Sequence, residues 1–136
     1  MHSPEKKRNY SRKREAILKA VRSTTCHPTA DWVYQTLKPK FPDLSLGTVY
    51  RNLTQLRKDG TIISIGNVNG QERYDGNIRP HTHFVCSYCY RVLDIPGDFV
   101  NKEQTKAEAE RLGLEVDSCD LLLHGICDKC LQKLGK

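Results

Sequence analysis

The chain has 136 residues, room for one large domain or two small ones, with 28% charged and only 7% aromatic side chains. No run approaches the roughly eighteen apolar residues of a membrane span, and no apolar segment follows the basic N-terminus as a secretion signal requires, so a cytoplasmic protein with no membrane partner is expected. The net charge of +6 is uneven: residues 1–60 carry 13 Lys/Arg against 5 Asp/Glu, and residues 61–136 carry 9 against 11. The basic half suits a polyanion, with nucleic acid the leading candidate.

In chain order, residues 1–9 are polar and basic and are expected to fray. Ser11 can cap a helix to about Ser23, with Ile17, Leu18 and Val21 inward and Arg12, Lys13, Arg14, Lys19 and Arg22 outward, a cationic face that suits phosphates. Cys26-His27-Pro28 breaks that helix. Thr29 caps a second one, whose Ala30, Val33, Tyr34 and Leu37 follow the i, i+3, i+4, i+7 rule of a core stripe. Ser45 opens a third, with Leu46, Val49, Tyr50, Leu53 and Leu56 on the apolar side and Gly60 at the end. Thr48, Arg51, Asn52 and Gln55 fall largely on its open side, where hydroxyl, guanidinium and amide groups read base edges and phosphates. Thr61 to Ile65, Asn69-Gly70 and Gln71 to Tyr74 spell a β-hairpin. Three helices and a hairpin make a winged helix-turn-helix.

The expected division is a winged-helix domain over 1–76, a hinge over 77–80, and a small α+β domain over 81–136. In the latter, strands are expected at Thr82–Val85 and Arg91–Ile95, with Pro96-Gly97 turning the chain. A helix capped by Asp98 runs to about Leu112, closed by Gly113. Strands near Leu114–Val116 and Leu121–Leu123 follow, and then a helical tail after Cys127.

Cys86-Ser-Tyr-Cys89 and Cys127-Asp-Lys-Cys130 form two C-x-x-C pairs separated by 37 residues. Two chelating knuckles in one cytosolic chain point to a tetrahedral Zn²⁺ site; a thiol-disulfide redox pair needs only one. Just upstream, His81 and His83 sit two residues apart in a β-branched and aromatic run, which puts both imidazoles on one face of a strand. Cys26 and Cys119 lack partners at ligand spacing and read as ordinary thiols.

Taken together, His27-Pro-Thr-Ala-Asp31, Ser45-Leu-Gly-Thr-Val-Tyr-Arg-Asn-Leu53, Arg73-Tyr-Asp75, His81-Thr-His-Phe-Val-Cys86, Cys89 and Gly125-Ile-Cys127 with Cys130 resemble the ferric uptake regulator (Fur) superfamily over nearly the whole chain. The resemblance implies a metal-dependent, homodimeric repressor of double-stranded DNA, with an N-terminal winged helix, a C-terminal α/β dimerisation domain and an inverted-repeat operator. Its peroxide-sensing branch, the one most resembled, holds a regulatory Fe²⁺ or Mn²⁺ by three His and two Asp. The matching positions are His27, Asp75, His81, His83 and Asp94, the last usually Glu in the iron-sensing branch. One regulatory ion and one structural Zn²⁺ per chain are implied, with Arg12, Lys13, Ser45, Thr48, Tyr50, Arg51 and Asn52 as DNA contacts. Tyr50 stands on the inward stripe by periodicity and toward the bases by family motif.

By the same resemblance, iron reduces peroxide and the oxidant attacks His27 or His81, which opens the site. The implied protein is a one-shot sensor with no substrate other than peroxide. The alternative is an iron- or zinc-concentration sensor of the same family. A metalloenzyme is disfavoured, because five protein ligands leave little open coordination. Relatives often carry a His pair where this chain has Ser118-Cys119, and a His at Pro80, so auxiliary sites on those positions are not implied. His124 stands where a Tyr is frequent and gains no role.

Overall fold

The structure, a computed structural model, describes residues 4–135, with side chains from Ser11 onward. The expectation for Met1, His2 and Ser3 lies outside the described residues. The chain divides between Ile78 and Arg79 into two compact units.

Helix α1 (Pro4–Arg22) begins seven residues before the expected cap at Ser11. Pro4 occupies the first helical position, where its fixed φ suits the helix and its missing N–H costs nothing. No breaker separates it from Ser11, which lies inside the helix. Helix α2 (Ala30–Leu37) is capped by Thr29, whose Oγ1 accepts from the Trp32 backbone N–H at 3.0 Å. Helix α3 (Leu46–Lys58) is capped by Ser45, whose Oγ accepts from the Thr48 N–H at 3.1 Å. Each cap satisfies an N–H that the first turn leaves without an intrahelical partner.

The three helices enclose Ile17, Val21, Val33, Val49, Leu53 and Leu56, which are almost wholly buried and joined by Ile62 and Tyr74. Each such side chain stabilises the unit by about 1.5–3 kcal/mol relative to exposure. Leu46 and Tyr50 depart from the expected apolar stripe: both are exposed, because the buried side of α3 is set by Val49, Leu53 and Leu56.

Strands β1 (Ile63–Val68) and β2 (Gln71–Asp75) pair antiparallel, with Val68 opposite Gln71. The two residues between them, Asn69 (φ 53°) and Gly70 (φ 81°), are left-handed. That is the geometry of a two-residue turn whose twist matches the strands. This hairpin is the wing.

In the second unit, β3 (Thr82–Cys86) is the central strand of the order β4-β3-β5. It pairs antiparallel with β4 (Val92–Ile95) and parallel with β5 (Leu122–Gly125). The parallel pairing needs a long crossover, which contains α4 (Lys102–Arg111). Its cap is Asn101, not Asp98: Asn101 Oδ1 accepts from Gln104 N–H at 3.0 Å, whereas Asp98 Oδ1 accepts from Val100 N–H in a local turn. Leu114–Val116 form no strand, since no neighbouring strand offers them backbone partners, and β5 begins at Leu122. Helix α4 buries none of its side chains. Helix α5 (Asp128–Lys133) ends the fold. Among the described residues, no helix is long and apolar enough to cross a membrane.

Candidate metal centres and nucleic-acid face

Sheet register assembles the sulfur cluster. Cys86 ends β3 and pairs with Gly125, so the chain leaving β5 delivers Cys127 two residues later beside it. Cys127 stands at the N-terminus of α5, which places Cys130 one turn further on. Cys89 closes the first knuckle through a tight reversal: the Tyr90 N–H donates to Cys86 O at 3.0 Å, and Tyr90 is left-handed with φ 61°. Arg91 and Asp128 pair at 2.9 Å and so link the two knuckles.

The four Sγ atoms lie within 4.8 Å of one another, with Cys89 and Cys127 at 3.7 Å. A tetrahedral zinc ion with Zn–S bonds of about 2.3 Å sets its sulfurs about 3.8 Å apart, so the residues fit the ion. Backbone N–H groups of Cys89 and Cys127 point at Cys86 Sγ, at 3.5 and 3.4 Å. These donors, Cys89 foremost, bring the Cys86 thiol down to about 6. Burial, and then the neighbouring thiols, push Cys130 up to about 12. Four sulfurs this close cannot all ionise without a cation; a bound dication supplies that charge.

Each unit supplies part of the expected nitrogen and oxygen ligand set. In the first, His27 is left-handed (φ 54°) and buried, with Nε2 3.3 Å from Asp75 Oδ2. Its loop is stitched to β2. The Tyr74 N–H donates to Pro28 O at 3.0 Å, and Arg73 donates to the carbonyls of His27 and Cys26. Asp75, next along β2, therefore meets the ring.

In the second unit, antiparallel register sets His83 opposite Asp94. Asp94 Oδ1 lies 3.1 Å from His81 Nε2 and 3.2 Å from His83 Nε2. His81 Nδ1 donates to the Arg79 carbonyl at 2.6 Å, which fixes the tautomer. In the neutral ring the lone pair then sits on Nε2, the atom facing Asp94. Converging lone pairs of this kind require a proton or a metal ion among them. Ligand bonds of about 2.1 Å at right angles would put neighbouring donors about 3.0 Å apart, close to the spacing observed.

On the DNA-facing side of the reading, Arg12, Ser45, Tyr50 and Arg51 are exposed, Tyr50 by 47%, and Thr48 is half-buried. Two expectations change. Asn52 is fully buried, and its Nδ2 donates to Thr48 O at 2.9 Å, so it is a core residue and not a DNA contact. It follows Val49 by three positions and precedes Leu53, which turns it onto the packed face. Lys13 is tied to Asp43 at 2.9 Å with its side chain only 16% exposed. Its ammonium holds the Asp43 carboxyl below the usual carboxylate range. Gly47, not singled out by periodicity, lies against the Arg51 guanidinium: a β-carbon there would stand 3.3 Å from Nη1.

A winged helix followed by a sheet domain bearing thiolate and imidazole–carboxylate clusters defines a metal-responsive DNA-binding regulator. The chain belongs to the ferric uptake regulator family, whose model matches residues 5–124. It is 33% identical to the peroxide-responsive repressor PerR of Staphylococcus aureus over 125 residues, covering 88% of this chain and 80% of that one. The Campylobacter jejuni peroxide stress regulator superposes with TM-score 0.72 at 26% identity, covering 93% and 94% of the two chains. The Helicobacter pylori ferric uptake regulator gives TM-score 0.72 at 19% identity, over 88% and 79%. Zinc and manganese uptake regulators share the fold as well.

Proposed function

We propose that this chain is a homodimeric repressor that leaves its DNA when hydrogen peroxide oxidises one of its own histidines. One regulatory Fe²⁺ or Mn²⁺ per chain takes His27 and Asp75 from the first unit and His81, His83 and Asp94 from the second. The observation that carries the reading is Asp94 Oδ1 facing two imidazole Nε2 atoms at 3.1 and 3.2 Å. Such a nitrogen and oxygen set suits a borderline-to-hard divalent ion, while the four cysteines suit one structural Zn²⁺ per chain.

An ion ligated by both units ties the recognition helix to the second domain, so metal and DNA favour the same state. Coupling of this kind is typically ~1–3 kcal/mol. A ferrous ion held by these residues would supply the electron that begins peroxide cleavage and regain it as the ring is oxidised. One peroxide oxygen would end on a ring carbon of His27 or His81, and the other would leave as water with the displaced ring hydrogen. The oxidised imidazole ligates poorly and DNA is released; manganese supports binding without this reaction.

The dimer partner is a second copy of this chain. Helix α4 buries none of its side chains, and Phe99, Leu112, Leu114, Val116 and the β5 residue Leu123 are exposed. That apolar surface suits a two-fold interface. Two winged helices then read the halves of an inverted repeat through Arg12, Ser45, Thr48, Tyr50 and Arg51.

The second reading is an iron- or zinc-concentration sensor, favoured by the fold shared with ferric and zinc uptake regulators. Peptide mass spectrometry after peroxide treatment separates the two. The expected outcome is one added oxygen on a His27 or His81 peptide of the iron-loaded protein, loss of DNA binding, and no change in the manganese-loaded sample. DNA release without that oxygen would point to the second reading or to oxidation of the thiols.

A further inference from the structure

We propose that Gly47 and Thr48 are positioning residues that hold the Arg51 guanidinium ready to read a guanine edge; the inference rests on the DNA-binding reading above. Three hydrogen bonds at the start of α3 carry it. Arg51 Nη2 donates to Thr48 Oγ1 at 3.1 Å, and Thr48 and Ser45 share a hydroxyl contact at 2.8 Å. Ser45 Oγ also accepts from the Thr48 N–H at 3.1 Å. Ordered as Arg51 to Thr48 to Ser45, the Thr48 hydroxyl accepts from the guanidinium and donates to Ser45 Oγ, and each bond in such a chain polarises the next. The chain ends on the helix cap, which ties the guanidinium to the most rigid point of the first turn.

Gly47 completes the arrangement. A β-carbon there would meet Arg51 Nη1 at 3.3 Å, so the guanidinium rests against bare backbone. Arg51 is exposed and forms no salt bridge among the described residues. Of its five N–H donors, one is used by Thr48, and the planar fork keeps the paired donors that match guanine O6 and N7. A free arginine loses rotamer freedom when it binds, whereas one already held loses less.

The test uses the full chain loaded with zinc and manganese. The probe is the duplex that the wild-type protein enriches from a randomised 30-bp pool, remade with 7-deazaguanine at one guanine at a time. In wild type, removal of N7 at one symmetry-related guanine is expected to weaken binding about tenfold. Thr48→Val, which keeps the shape and removes the hydroxyl, is expected to lose that sensitivity, and Thr48→Ser to restore it. Gly47→Ala is expected to lose it too, while thermal stability holds or rises, because alanine favours the helix. A loss of base reading without a loss of stability is an outcome that a purely structural role would not produce. Full sensitivity retained in Thr48→Val and Gly47→Ala would overturn the positioning role while leaving DNA binding intact. A wild-type protein that enriches no sequence would overturn both.

Discussion

Asp94 meets His81 and His83 with a single oxygen because antiparallel pairing sets it opposite His83, and because an aspartate carboxylate lies close to its strand. A glutamate carries the same group one methylene further, which moves it away from both Nε2 atoms. Asp94→Glu is expected to keep iron-dependent DNA binding and to blunt peroxide release, as measured by DNA-binding titrations with and without peroxide. Unchanged sensitivity would remove the basis for the peroxide reading. Tyr74 makes a separate prediction. Burial first, and then its contact with Glu72 (Tyr74 Oη to Oε2, 3.0 Å), raise its phenol well above the ordinary range. A group with a raised folded value stabilises the fold below its unfolded pKa of about 10, and that contribution is lost as pH climbs from there toward the folded value. Alkaline unfolding followed by circular dichroism is therefore expected to begin at higher pH in Tyr74→Phe than in wild type. The neighbouring Asp75 shows how far single residues were legible. As a carboxylate its ligand role follows only from family motif, whereas its meeting with His27 depends on Arg73 and Tyr74 stitching the loop to β2.

The elements divide by how local their causes are. The Thr29 and Ser45 caps and the Asn69-Gly70 turn stand where the sequence places them, since each needs only a few neighbouring residues. The missed elements need distant partners or compete with local alternatives. Asp98 satisfies its own turn and leaves the α4 cap to Asn101, and Leu114–Val116 find no strand beside them. The sulfur centre combines both kinds of cause. Its spacing is written in the chain, but its assembly requires β5 to lie parallel to β3 with Gly125 opposite Cys86. With α4 burying nothing, the second unit has a small core to stand on. Structural zinc contributes on the order of 10–16 kcal/mol in small domains. Cys86→Ser is accordingly expected to lose zinc and to unfold this unit, as read by metal content and circular dichroism. A folded, zinc-free second unit would refute the structural role.

At the scale of the molecule, the charge split between the halves suits DNA, and the exposed apolar residues around α4 are the surface proposed above for a second copy. Leu114→Glu places a charge on the proposed two-fold surface and is expected to yield monomers by sedimentation, with thiolate zinc retained and operator affinity reduced at least tenfold. A dimer that persists in this variant would move the interface elsewhere. The amino-acid order alone determined the class of each half: a basic three-helix reader with a hairpin wing, and a small domain carrying thiolate knuckles and paired histidines. Those features depend on contiguous residues, on their spacing and on net charge. Tertiary structure decided which side chains remain available. It buried Asn52, paired Lys13 with Asp43 and turned Tyr50 outward. Each of these outcomes depends on which side of a helix other elements cover, whereas Arg51 over Gly47 is an i, i+4 contact within α3 that helical spacing alone allows.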